Sequence, residues 1–253
     1  MADAVAQIQQ RCFFTIGRRR MGALLRRHFG MSVGETRLQR VMSRYGLTAR
    51  IRQVRRAKPC AGKATTKSLP GNMLNREFRS EHPLTRLVTD VTYIPYYEGG
   101  EWRWGYLSLV QDLFERSIVS WAYAKTQDAK LSCQTLRLLL FKGVGNGSML
   151  HSDRGNIYTA NPFMEMARHH GIIQSFSRTG NCHDNAAMEC FNSTLKVESL
   201  YNPLVRRETP SFRDQQQMIA EYIRYDNEER PCSVLGNLTP QEYRERYLSR
   251  AAC

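Results

Sequence analysis

The run HSDRGNIYTANPFMEMARHHGIIQSFSRTGNCHDNAAMECFNSTLK, His151 to Lys196, decides the fold. It opens with Asp153 at the end of the short apolar run Met149-Leu150, which reads as a strand. It closes with Glu189 inside a helix-like segment, Ala186 to Val197. Thirty-five residues separate the two acids. Upstream, Leu87-Val88-Thr89-Asp90-Val91-Thr92-Tyr93-Ile94 sets a third carboxylate, Asp90, in the middle of a β-branched apolar strand. An ionised Asp there is costly unless its desolvation is offset, and a divalent cation shared with other carboxylates is the most direct offset. Asp90, Asp153 and Glu189 are therefore the candidate metal ligands and catalytic residues. Hard oxygen ligands of this kind suit Mg²⁺, or Mn²⁺ in its place. Two such ions about 4 Å apart would activate a water or a 3′-hydroxyl and stabilise the leaving oxygen of a phosphodiester. The implied chemistry is phosphoryl transfer on nucleic acid.

Three motifs carry a resemblance: Thr89-Asp90-Val91-Thr92-Tyr93, then His151-Ser152-Asp153-Arg154-Gly155, then Gly180-Asn181-Cys182-His183-Asp184-Asn185-Ala186 followed by Met188-Glu189. The chain resembles the catalytic protein of the IS-three family of bacterial insertion-sequence transposases, in the DDE superfamily. The 35-residue gap is that family's spacing, and the similarity continues through Gly17 to Leu47 and Arg230 to Tyr243. The resemblance implies an α/β fold, with a ribonuclease-H-like mixed five-stranded sheet flanked by helices and an N-terminal helix-turn-helix. It implies an enzyme that cleaves DNA at element ends and joins the freed 3′-hydroxyl to another phosphodiester, working as a homo-oligomer on terminal repeats and target DNA. It further implies a longer fusion product, in which an upstream frame supplies a second recognition segment. The rival readings are a ribonuclease-H-type nuclease that never joins strands and a non-catalytic DNA-binding regulator. Intact acids at all three motif positions argue against the regulator. One departure is Cys232, where the family usually has a histidine.

Charge supports a nucleic-acid partner independently. Residues 1 to 86 hold 19 Lys and Arg against 4 Asp and Glu, a balance of +15, and the remaining chain balances at −1. A basic block of this kind attached to a near-neutral domain reads as a polyanion-binding region. No run of 18 or more apolar residues occurs and the N-terminus lacks an apolar signal core, so the expectation is a cytoplasmic protein with no membrane partner. Seven cysteines form no C-x-x-C pair and no zinc-finger spacing, which favours reduced thiols; Cys182, His183 and Cys190 lack a fourth ligand.

Periodicity then divides the chain. Residues 1–49 read as a helix-turn-helix region: helices over Arg18 to Phe29 and Glu35 to Tyr45, joined by Gly30-Met31-Ser32-Val33-Gly34. Arg37, Arg40 and Arg44 line the outer face of the second helix and are the candidate DNA contacts there. Residues 50–82 read as a basic linker and 83–200 as the catalytic core. In the core, strands are expected over Leu87 to Pro95, Trp104 to Leu113, Ser117 to Ala124, Met149 to Asp153 and Ile172 to Ser175, and helices over Asp128 to Leu140 and Asn161 to His170. Residues 201–253 read as a C-terminal helical extension of the core, with Thr239 and Glu242 at capping-box spacing. Beside the three acids, Gly180 to Asn185 reads as a loop in which Asp184 or Asn185 caps the following helix. Arg178 and Asn181 in this region are candidate contacts to the DNA end. Lys196, seven residues beyond Glu189, falls on the same helix face two turns along and is a further candidate DNA contact.

Overall fold

A computed structural model describes residues 1–50 and 69–251, so positions 51–68 of the expected linker lie outside the described residues. The chain forms two compact units: Arg56–Ser193 with Thr209–Gln217, and Met1–Arg55 with Thr194–Glu208 and Met218–Cys253.

The first unit is built on a five-stranded sheet of order β3-β2-β1-β4-β5. Strands β1 (Arg86–Glu98), β2 (Glu101–Asp112) and β3 (Ile118–Ala124) form an antiparallel meander; β4 (Met149–Ser152) and β5 (Ile173–Phe176) add in parallel. The β1–β2 hairpin reverses through Gly99 and Gly100, at φ 63° and 85°, the positive values that a two-residue turn between twisted strands demands. Both strands run further than expected towards this tip. Tyr96-Tyr97-Glu98 and Glu101-Trp102-Arg103 stay in register, helped by the edge-on packing of Tyr97 against Trp102.

Helix α4 (Ala129–Leu140) makes the crossover to β4, and the Asp128 carboxylate accepts from the backbone N–H groups of Lys130 and Leu131 to cap it. Its apolar face, with Leu136 and Leu139, packs on Leu87, Val110 and Leu150 of the sheet. Helices α5 (Asn156–Thr159) and α6 (Asn161–His169) supply Tyr158 and Phe163 to the same core. Fully burying each such side chain contributes about 1.5–3 kcal/mol. The expected mixed sheet flanked by helices is what forms.

In the second unit, α1 (Ala2–Arg11), α2 (Arg18–Phe29) and α3 (Glu35–Arg44) enclose Val5, Ile8, Met21, Leu25, Leu38 and Met42. Gly30, at φ 65°, ends α2 in the left-handed conformation that its carbonyls need. Much of the C-terminal segment, expected as an extension of the core, groups here instead. Tyr225 packs against the N-terminal helical cluster, and a buried ion-pair network joins it. Arg230 donates to both oxygens of buried Glu198, at 2.8 and 2.9 Å, and to Asp226 at 3.0 Å, while the Tyr222 hydroxyl donates to Glu198 at 3.0 Å. Arg20 on α2 reaches the same Glu198 at 3.4 Å. Helix α9 (Pro240–Ala251) starts with the expected reciprocal cap: the Thr239 N–H donates to Glu242, and the Glu242 N–H donates to the Thr239 hydroxyl. Two helices, α7 (Ala186–Leu195) and α8 (Phe212–Glu228), run through the boundaries between units. Among the described residues, no helix is long and apolar enough to cross a membrane.

Gly105 on β2 admits the ring of Tyr123, which would overlap any Cβ placed there and which stacks on Phe212 at 4.4 Å between ring centroids. Gly105→Ala is expected to destabilise the sheet unit by about 1–3 kcal/mol. In a Tyr123→Leu background it should cost measurably less. Chemical denaturation of the four proteins checks this.

Candidate active site

Asp90 lies at the centre of β1, opposite Leu109 of β2. On its other side β1 pairs with β4 in parallel, from Arg86↔Met149 to Val88↔His151. Asp90 stands two residues past the last β1 pair and Asp153 two residues past its β4 partner, 62 residues apart in sequence. Burial raises the pKa of Tyr158, and both carboxylates add to that rise. Asp153 immediately follows β4, and its Oδ1 accepts from the Gly155 N–H at 2.9 Å. A Cβ at Gly155 would stand 2.9 Å from that same oxygen, so glycine is what lets the backbone approach. The residue keeps an exposed face, yet crowding of its carboxyl group by protein atoms raises the pKa, against the smaller opposing effect of the Gly155 N–H. Its charge is thus incompletely offset by the protein.

The third acid comes from α7. Asn185 donates to the Thr89 carbonyl at 3.0 Å, and Asn192 donates to Asp90 Oδ2 at 2.8 Å. Positions 185, 189 and 192 follow the i, i+4, i+7 spacing of one helix face, so Glu189 belongs to the stripe whose two ends are bonded to β1. Glu189 itself is exposed. The amide oxygens of Asn185 and Asn192 are buried without a hydrogen-bond partner among the described residues. Asn192 escaped the reading of the sequence; its offset of three from Glu189 was the available signal. Among the described residues, no three His, Cys, Asp or Glu side chains are gathered as a metal-binding group.

The loop before α7 differs from expectation in detail. Neither Asp184 nor Asn185 caps the helix: the chain enters it through a 3₁₀ turn, Cys182–Asn185, and both side chains tie that turn to the core instead. Asp184 is fully buried and accepts from the backbone N–H, Nε and Nη2 of Arg178 and from Nε of Arg76, all within 3.0 Å. These bonds, Arg178 foremost, hold its carboxyl far below the usual carboxylate range. Asn181 accepts from Arg76 Nη2 at 3.0 Å. Arg178 and Asn181, expected as contacts to DNA, thus also have internal partners.

His151 is buried between the hydroxyls of Ser175 and Ser177, at 2.9 and 3.1 Å. Desolvation pulls its pKa down to about 4, so it stands neutral as a bridge between β4 and the chain at β5. Lys196 follows the last α-helical residue, and its carbonyl accepts from the Tyr201 N–H across a π-helical turn, Lys196–Leu200. The α-helical phase that relates Glu189 to Lys196 therefore runs only up to that turn. Arg37, Arg40 and Arg44 are exposed on α3, whose other face buries Leu38 and Met42.

The sheet order and its flanking helices are those of an integrase-type core, and comparison with known proteins agrees. Residues 80–182 and 170–240 each match an "Integrase core domain" model, and residues 2–55 match an "HTH-like domain". The chain is 34% identical to the putative transposase InsK for insertion sequence element IS150 of Escherichia coli, covering 92% of this chain and 79% of that protein. An insertion element IS600 31 kDa protein of Shigella sonnei is also 34% identical, over 94% of this chain and 84% of its own length. A chain from the structure of a simian T-cell lymphotropic virus intasome in complex with PP2A regulatory subunit B56 gamma superposes with a TM-score of 0.50 at 16% identity, covering 90% of this chain and 70% of the other, a likeness of fold. The chain belongs to the insertion-sequence transposases with an integrase core. It is a DNA transposase of polynucleotidyl-transferase type.

Asp184 supplies the pH test of this region. Its folded pKa is depressed, so its contribution to stability is present above the unfolded value of about 3.9 and is lost as the pH falls below it. Asp184→Asn is expected to lower stability at neutral pH by about 1.5–3 kcal/mol. It should also flatten the acid limb in denaturant titrations run at a series of pH values.

Proposed function

We propose that Asp90, Asp153 and Glu189 hold two divalent ions, Mg²⁺ or Mn²⁺, and that the site cleaves DNA at the element ends and transfers the freed strand. The observation that supports this reading is the β1–β4 register, which runs towards Asp90 on one strand and towards Asp153, just past the end of the other. The donor set is all hard oxygen, which suits such ions. When bound, they would supply activation of the attacking oxygen and charge stabilisation of the leaving one. The protein's own part is orientation. Asn192 fixes the Asp90 carboxylate, the Gly155 N–H fixes that of Asp153, and the Asn185 and Asn192 bonds turn the face of Glu189 towards β1.

Strand joining follows from the same site used twice. Water attacks first, breaking a P–O3′ bond to leave a 3′-hydroxyl and a 5′-phosphate. That hydroxyl then attacks a target phosphodiester, its oxygen forming the new ester as the target's own P–O3′ bond breaks, and the proton it loses balances the one the departing 3′-oxygen takes up. Each step is an in-line displacement, with no covalent bond to the enzyme. Duplex DNA is held by the basic N-terminal region, with Arg37, Arg40 and Arg44 facing the groove and Lys196, Arg178 and Asn181 nearer the cleaved end. The active form is a homo-oligomer on DNA in the bacterial cytoplasm.

The test is incubation of duplexes carrying the ends of the flanking element with Mg²⁺ or Mn²⁺, resolving nicked and joined products. Asp90→Asn, Asp153→Asn and Glu189→Gln are each expected to abolish both products while leaving DNA affinity within about twofold. Turnover retained in any one with Mg²⁺ removes that acid from the set, and nicking without joining in the wild type favours the plain nuclease. Asn192→Leu should lower cleavage about 10–100-fold, as loss of an outer-shell partner does. A wild-type rate in that variant would reduce Asn192 to a packing residue.

A further inference from the structure

Asp184 needs one arginine, and it has two. Arg178 satisfies it bidentately through Nε and Nη2 and adds a backbone N–H. Arg76 then places a second guanidinium against Oδ1 and holds Asn181 with its Nη2. Two cations on one buried carboxylate leave a surplus of one positive charge, and both guanidinium side chains remain about half exposed, at 46% and 52%. Each guanidinium carries five N–H donors in a rigid fork. For both arginines the Nη1 edge has no partner among the described residues.

The placement of Arg76 is also held by the backbone. Asn75 and Arg76 both take left-handed conformations, at φ 46° and 61°; asparagine enters that region readily, whereas an arginine there must be held by its surroundings. The surroundings do so: the Asn72 side chain accepts from the Asn75 N–H, Leu74 is buried, and the Met73 and Leu74 N–H groups both donate to Ser175 on β5. The segment is thus fastened to the sheet, and its arginine is fixed over the turn that leads into the helix of Glu189. A free surface arginine would be solvated and mobile; this pair is pre-oriented, carries net positive charge, and presents two unused donor edges.

We infer that Arg76 and Arg178, spaced by Asp184, form a clamp for one backbone phosphate of the DNA strand beside the cleaved bond. The clamp rests on the proposed site at Asp90, Asp153 and Glu189 for its position, and on its own hydrogen bonds for its chemistry. A phosphate's two non-bridging oxygens match two fork edges better than a base edge does, so the contact orients the strand without reading sequence. Asp184 is a positioning residue.

The experiment uses the full chain and measures equilibrium binding of the element-end duplex over a salt series, without divalent metal. Arg76→Gln keeps a hydrogen-bond donor for Asp184 and removes the charge. It is expected to weaken binding about three- to tenfold and to lower the slope of log affinity against log salt by about one. A methylphosphonate replacing one phosphate beside the cleaved bond should weaken the wild type equally and leave Arg76→Gln no weaker than it already is. An unchanged salt slope, or losses that add at every phosphate tested, would overturn the clamp in favour of a purely structural pair. If the variant unfolds, the methylphosphonate scan on the wild type decides: no sensitive phosphate beside the cleaved bond rejects the clamp. Cleavage is measured separately with Mg²⁺, so a wild type that binds with this signature but never cuts sinks the metal reading alone.

Discussion

The parallel ladder between β1 and β4 is the constraint on which the site depends. It is short, three register pairs from Arg86↔Met149 to Val88↔His151, and it must bring together segments separated by the whole of β2, β3 and α4. A parallel pair cannot be closed by a tight turn; it needs a crossover, and α4 provides one that also buries the sheet's face. A slip of one residue in this ladder would turn Asp153 to the opposite face from Asp90. Neutral His151, bridging Ser175 and Ser177, ties β4 to the chain at β5 and so helps to fix the register from the other side.

Buried charge is handled differently in the two units. In the helical unit, Glu198, Asp226 and Arg230 satisfy one another almost out of contact with water, so that removing one partner would strand a buried charge. In the sheet unit, Asp184 is equally buried, but its arginine partners face solvent. Asp90 and Asp153 are different again. Asp90 accepts from the Asn192 amide and Asp153 from the Gly155 backbone N–H, where Asp184 accepts from two arginines.

Much of this was legible in the sequence because the signals were local. β-branched runs gave the strands, the 3.6-residue period gave α2, α3 and α4, and the 35-residue spacing of Asp153 and Glu189 pointed to the core. What escaped was non-local. The pairing of Arg76 with Asp184 spans 108 residues and that of Arg230 with Glu198 spans 32, and no periodicity announces either. The 3₁₀ entry to α7 and the π-helical turn after it were hidden for another reason: each departs from α-helical bonding by one residue per ring, which side-chain pattern barely registers. Glu189 is singled out by its motif, whereas the Asn192 bond to Asp90 shows only once the helix face is seen against β1.

The interleaving of the two units also bears on how the chain is made. Synthesis delivers α1, α2 and α3 first, but the segments that complete their unit follow residue 193, with the sheet unit's own sequence in between. The first helices to leave the ribosome are therefore among the last to be finished. Until Arg230 arrives, Glu198 lacks the guanidinium that bonds both its oxygens in the finished unit. Chains cut short before α8 would keep the sheet's strands yet leave that helical unit incomplete, exposing apolar surface of the kind that drives association of partly folded chains.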